Sequence, residues 1–148
     1  LSSLLINIIN PKLLFMNINS QVKVAIVDDH ALIRKCLQEL VGLWGYIVIP
    51  QATNGKDFLD LLVRGIIPDI CILDMRMPEM DGYETIKVVK AKWPGIKIIA
   101  YSMDFKDPDA QQPEGADAIV SKSGPYQELK EALALLSSQI VGSKITSQ

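Results

Sequence analysis

From Val22 onward the apolar positions fall into short runs that alternate between two periods. Val22-Lys23-Val24-Ala25-Ile26-Val27 is a β-rich run that ends at two aspartates. Ala31 to Trp44 sets Ile33, Leu37, Leu40, Val41 and Trp44 on one helical stripe, which Gly45 closes. Tyr46-Ile47-Val48-Ile49 predicts the next strand, and Thr53-Asn54-Gly55 a turn opening a helix through Phe58, Leu61 and Leu62. Asp69 to Leu73 is an apolar strand ending at Asp74. Gly82 to Lys92 reads as a helix with Ile86 and Val89 inward, closed by Trp93-Pro94-Gly95. Ile96 to Tyr101 is a fourth strand and Ala116 to Ser121 a fifth. Pro125 suits the first turn of a last helix, running to about Val141.

Five strands alternating with helices predict an α/β fold, a parallel sheet covered on both faces. A continuous apolar strand such as Ile70 to Leu73 is what a doubly buried sheet requires. In such sheets the chemistry gathers beyond the carboxyl ends of the strands.

The first twenty residues break this pattern. They are rich in Leu and Ile, but Asn7, Asn10, Pro11, Asn17 and Asn19 interrupt every apolar run. A spanning helix needs about 20 mostly apolar residues, so no membrane span is expected. Nor is there the basic start of a signal peptide. Residues 1–20 read as a leader, or as a tail ahead of a start at Met16, with a docking amphipathic segment as the other option.

The 148 residues suit one domain, and a hydrophobic content of 49% suits a packed core. Lys and Arg number 15 and Asp and Glu 17, for a net charge of −2. That balance argues against a broad nucleic-acid or anionic-membrane surface. Of the charged residues only Lys12 lies in the first twenty. Two cysteines, Cys36 and Cys71, both in apolar segments, suggest buried thiols in a reducing, cytoplasmic setting. With one histidine, His30, a poly-His zinc site is excluded.

The strand ends carry the candidate chemistry. The first strand ends in Asp28-Asp29, the third in Asp74, the fourth in Ser102 and the fifth in Lys122. Crowded carboxylates call for a hard cation, and oxygen ligands suit Mg²⁺. A lysine and a hydroxyl beside them supply donors for a transferred phosphoryl group. A carboxylate can itself be the nucleophile, giving an aspartyl phosphate.

With these residues in place the chain resembles the receiver domain of two-component response regulators, most like the subfamily that usually precedes a helix-turn-helix DNA-binding domain. The matching stretches are Val27-Asp28-Asp29-His30, Ala52-Thr53-Asn54-Gly55, Asp74 through Gly82, Ala100-Tyr101-Ser102 and Gly115 through Lys122. The resemblance implies a flavodoxin-like three-layer sandwich with strand order 2-1-3-4-5. It implies residues 1–20 as a leader outside the domain, 21–142 as the receiver, and 143–148 as a C-terminal tail or start of a linker. Asp74 is implied as phosphoacceptor. Asp29 is implied to ligate Mg²⁺ directly, Asp28 mostly through water, and the backbone carbonyl of Arg76 as a further ligand, with Asp74. Ser102 and Lys122 are implied to contact the phosphoryl group. Pro78 and Gly82 shape the loop. The implied donor is a sensor histidine kinase or phosphotransfer protein. The resemblance implies a domain that catalyses only its own phosphorylation and dephosphorylation, and a homodimer is a further option.

Simpler readings stand beside these. Asp28 and Asp29 can cap the first helix, Lys122 can be a solvated lysine, and Ser102 a turn serine. His30 is read as a plain helix-start residue that follows the carboxylates rather than pointing among them, and the methionines at 75, 77 and 80 as loop packing.

The chain departs from the family pattern at three places. Ile119 replaces the aromatic that many receivers carry three residues before the lysine. Pro108 and Pro113 predict that the helix between the fourth and fifth strands, fourth in the family's order, is short or degenerate. That alters the family's usual output and dimer face. Met103 is large, and Asp104 is expected to face Arg76 across the pocket mouth, restricting the attacking water. The competing functions are a phosphorylation-independent interaction module and an aspartyl-phosphate phosphohydrolase. The hydrolase commonly wants an Asp two residues after the nucleophile, where this chain has Arg76.

Overall fold

The computed structural model describes residues 21–103, 105 and 107–146. The readings made for residues 1–20 and for Asp104 lie outside the described residues. The strands are β1 (Lys23–Val27), β2 (Ile47–Val48), β3 (Ile70–Leu73), β4 (Lys97–Ser102) and β5 (Ala118–Ser121). The helices are α1 (Ala31–Leu43), α2 (Gly55–Val63), α3 (Gly82–Lys92) and α4 (Tyr126–Thr146). All strand pairs are parallel, in the order β2-β1-β3-β4-β5. The parallel sheet is the one the alternation predicts, and its order is that of the flavodoxin-like sandwich the resemblance implies.

Each strand divides its side chains between two cores, because successive residues point to opposite faces. Val24, Ile26, Ile70, Ile72, Ile99 and Tyr101 pack with Leu37 and Val41 of α1 and Leu129, Leu133 and Leu136 of α4. Ala25, Val27, Cys71, Leu73, Ile98 and Ala100 pack with Phe58 and Leu62 of α2 and Ile86 and Val89 of α3. Every residue of β3 is buried, as the apolar run predicts for the middle of the sheet. Burying one Leu or Ile side chain contributes about 1.5–3 kcal/mol.

The helix starts follow from local chemistry. Asn54 caps α2 by accepting from the backbone N–H of Asp57 at 2.9 Å. Asp81 and Glu84 close a capping box on α3. His30 occupies the N-cap of α1, but its side chain makes no cap bond.

Among the described residues no α-helix forms between β4 and β5, in line with the short or degenerate helix expected there. Three readings are corrected. The last helix does not end near Val141 but runs to Thr146, through four residues assigned to the tail. Cys36 is exposed, because it lies on the outward side of α1, and only Cys71 is a buried thiol. The strands β2 and β5 are shorter than the apolar runs that announce them. None of the helices built by the described residues is long and apolar enough to cross a membrane.

Candidate functional site

The parallel register decides which strand-end residues meet. Val27 pairs with Leu73, so the next residues, Asp28 and Asp74, leave the sheet side by side. Both are buried. Lys122 reaches them from the far side of the sheet, where its backbone N–H donates to the Ser102 carbonyl at 3.0 Å. Its Nζ lies 2.5 Å from Asp28 Oδ2 and 3.4 Å from Asp74 Oδ1. The side chain of Lys122 is only 8% exposed, which excludes the solvated-lysine reading. Tyr101 lies under it, with the ring centroid 5.7 Å from Nζ, inside the range of a cation–π contact.

Burial pushes the Asp74 carboxyl above the usual carboxylate range; Lys122 draws it back, and the neighbouring Asp28 raises it further. The backbone N–H of Arg76 approaches Asp74 Oδ1 at 3.4 Å. Asp28 is fixed at both ends. Its Oδ1 accepts from the backbone N–H of His30 at 2.8 Å, and its carbonyl accepts from the Arg34 guanidinium at 2.6 Å. The cap reading of Asp28 is therefore half right, since one oxygen serves the helix start and the other serves Lys122. Arg34 was missed from the sequence, where a basic residue one turn into a helix looks like ordinary surface.

Asp29 Oδ1 is buried without a hydrogen-bond partner. A buried unpaired carboxylate oxygen is costly unless something compensates it. Asp28, Asp29, His30 and Asp74 each offer one ligand atom, all within 4.8 Å of one another. An oxygen-rich, crowded set with an orphan acceptor fits a hard divalent cation such as Mg²⁺. His30 does start α1 as read, but its ring is not turned away from the carboxylates, since its Nδ1 stands 3.4 Å from Asp28 Oδ1 and 3.2 Å from Asp29 Oδ1.

Ser102 is buried at the end of β4, opposite Ser121. Gly82 is demanded by the loop after Asp74. A Cβ there would sit 2.4 Å from the Asp74 carbonyl oxygen and 2.7 Å from Met75 Cα. The same loop turns at Glu79, whose φ of 64° lies in the left-handed region, and Gly55 donates to the Met80 carbonyl at 3.1 Å. Pro78, Gly82 and the α2 start thus hold the loop as one unit.

Two clefts open beside the rim. One, of ≈ 730 Å³, is lined by Asp29, Arg76, Asp81, Tyr83, Asp107 and Asp109 among others. Tyr83 ties α3 to the β4–β5 connection by donating to the Gln111 carbonyl at 3.0 Å. The other, of ≈ 260 Å³, is lined by His30, Ile33, Tyr101, Met103, Lys122 and Tyr126. Met103 and Arg76 therefore line different clefts, and Met103 is 59% exposed. Ile119 points outward at 49% exposure on the edge strand.

Comparison with known proteins agrees with this geometry. The family model described as "Response regulator receiver domain" matches residues 24–134. Response regulator GacA of Pseudomonas aeruginosa is 30% identical over 115 residues, which are 76% of this chain and 53% of the relative. Chemotaxis protein CheY of Thermotoga maritima is 39% identical over 80 residues, covering 54% of this chain and 66% of the relative. Among solved structures, response regulator protein TrrA from Thermotoga maritima, in complex with Mg(2+)-BeF, matches with a TM-score of 0.70 at 31% identity. That match covers 78% of this chain and 98% of the other. A DNA-binding response regulator of the LuxR family from Staphylococcus aureus matches with a TM-score of 0.70 at 28% identity, covering 78% and 98%. The chain spans about half the length of the GacA relative.

Proposed function

The chain belongs to the response regulator receiver domain family, and from that premise we propose that Asp74 accepts a phosphoryl group from a sensor histidine kinase or phosphotransfer protein and thereby switches an output surface. The observation that carries the reading is the placement of Lys122, between Asp28 Oδ2 at 2.5 Å and Asp74 Oδ1 at 3.4 Å, on a rim with an orphan Asp29 oxygen. An oxygen of Asp74 attacks the donor phosphorus, and the bond from phosphorus to the donor nitrogen breaks. Lys122 balances charge on the transferred group, and the Ser102 hydroxyl donates to one of its oxygens. Asp28, Asp29 and Asp74, with the Arg76 carbonyl, would hold Mg²⁺, which supplies charge neutralisation to such a transfer.

Before transfer, Asp28 is the nearer partner of Lys122. A phosphoryl group on Asp74 gives the lysine a more highly charged partner and biases a two-state equilibrium. The lack of an α-helix among the described residues between β4 and β5, with Met103, Ile119 and Tyr126 exposed, makes the proposed partner or dimer surface different from the usual one. The relation to a DNA-binding response regulator makes transcriptional control in the cytoplasm the proposed setting.

The test is incubation with a small acyl phosphate and Mg²⁺, followed by intact-mass measurement. One phosphoryl adduct is expected, lost in Asp74→Asn. Absence of an adduct in the wild type would favour a phosphorylation-independent interaction module.

A further inference from the structure

The chain holds one histidine, and it stands at the acidic rim. His30 is the extended N-cap of α1, at φ −83° and ψ 109°, and its side chain makes no cap bond. Its Nδ1 is 3.2 Å from Asp29 Oδ1 and 3.4 Å from Asp28 Oδ1. Neither approach is a hydrogen bond. Asp29 Oδ1 is buried without a partner, and the bond that Asp28 Oδ1 accepts comes from the His30 backbone at 2.8 Å. Lys122 is bound to the other oxygen of Asp28, so it leaves the face shared by His30 and Asp29 open.

These separations are those of neighbouring ligands around a metal ion. With bonds of about 2.1 Å, ligands at right angles are about 3.0 Å apart and at tetrahedral angles about 3.4 Å apart. The two imidazole–carboxylate distances fall in that interval. The ring is 66% exposed, so packing does not explain its position.

We propose that Nδ1 of His30 is a direct ligand of the divalent ion, adding one imidazole to the carboxylates and the Arg76 carbonyl and raising the site's preference for first-row ions that accept nitrogen, such as Mn²⁺ and Ni²⁺, over Mg²⁺. Mg²⁺ takes oxygen ligands and dehydrates reluctantly, whereas imidazole suits the first-row transition ions. The inference rests on the receiver reading for the presence of an ion at this rim.

Because His30 is the one histidine in the sequence, untagged protein gives an unambiguous spectroscopic test. The Mn²⁺ complex of the wild type is expected to show nitrogen modulation from a coordinated imidazole in its electron spin-echo spectrum. His30→Ala is expected to abolish that modulation. In calorimetric titrations it should weaken Ni²⁺ binding tenfold or more and Mg²⁺ binding less than twofold. Absence of nitrogen modulation in the wild type, or equal weakening of Ni²⁺ and Mg²⁺, overturns the proposal. The mass adduct on Asp74 is measured on both proteins. If it forms in both while the nitrogen signal is absent, the ligand assignment fails and the receiver reading stands. If neither adduct nor metal binding is found in the wild type, both fail.

Discussion

Lys122 offsets the repulsion between two carboxylates held in one buried place. Asp28 and Asp74 leave adjacent strands at the same level, and the Nζ of Lys122 lies within 3.4 Å of an oxygen of each. Removing one member of a buried ionic cluster leaves charge uncompensated, at a cost of about 3–5 kcal/mol. Lys122→Met is therefore expected to lose stability of that order in metal-free buffer above neutral pH, measured by urea denaturation. The sign of its pH dependence follows from Asp74, whose carboxyl burial already pushes upward. Without the lysine the folded-state pKa rises further above the unfolded value. Asp74 then favours folding below the unfolded pKa, and that stability is lost as pH rises through the folded one. Lys122→Met should accordingly recover stability on mild acidification, and a loss that stays constant with pH would contradict the account.

Elements explain which of these residues were legible in the sequence. Strand ends are marked by abrupt changes from apolar to polar, so Asp28, Asp29, Asp74, Ser102 and Lys122 could be read before any coordinates. The approach of the His30 ring to Asp28 and Asp29 depends on a side-chain rotamer, which no spacing encodes. The end of α4 was missed because Gly142 looks like a stop, whereas an interior glycine costs a helix only about 1 kcal/mol and α4 continues past it. The degenerate stretch between β4 and β5, where the described residues form no α-helix, was legible because Pro113 removes a backbone donor outright. The fit of α3 against the phosphoacceptor loop is a matter of single atoms. Gly82 leaves no room for a methyl group beside the Asp74 carbonyl and Met75, and overpacking of that kind costs about 1–3 kcal/mol. Gly82→Ala should lower the unfolding free energy by that amount, measured by urea denaturation, and slow phosphoryl uptake by moving the loop. Gly42→Ala, at a helical position where a Cβ meets nothing within 4 Å, is the control expected to leave uptake unchanged.

At the scale of the molecule, a net charge of −2 conceals a strong local imbalance. Three carboxylates converge at the carboxyl end of the sheet around one lysine, with His30 at their edge. At the opposite end Asp69 is satisfied, accepting from the Lys23 backbone at 2.9 Å and pairing with Lys144 at 3.3 Å. Asp117 is likewise held by Lys90 at 2.6 Å and by the Ile98 backbone at 2.8 Å. The fold therefore stores its unfavourable charge at the rim alone among these acidic positions, and a divalent ion bound there stabilises the folded state by mass action. At an ion concentration a hundredfold above the dissociation constant the gain is about 2.7 kcal/mol. For a domain of this size that raises the unfolding midpoint by about 10 °C. Mg²⁺ titrated into chelator-treated protein should produce this rise in calorimetric or fluorescence melting, and excess chelator should reverse it. Asp29→Ala, which removes the orphan oxygen, should abolish most of the rise while melting near the metal-free wild type. Asp69→Ala should melt lower yet keep the full Mg²⁺ response. If both variants respond alike, the charge imbalance is not localised at the rim.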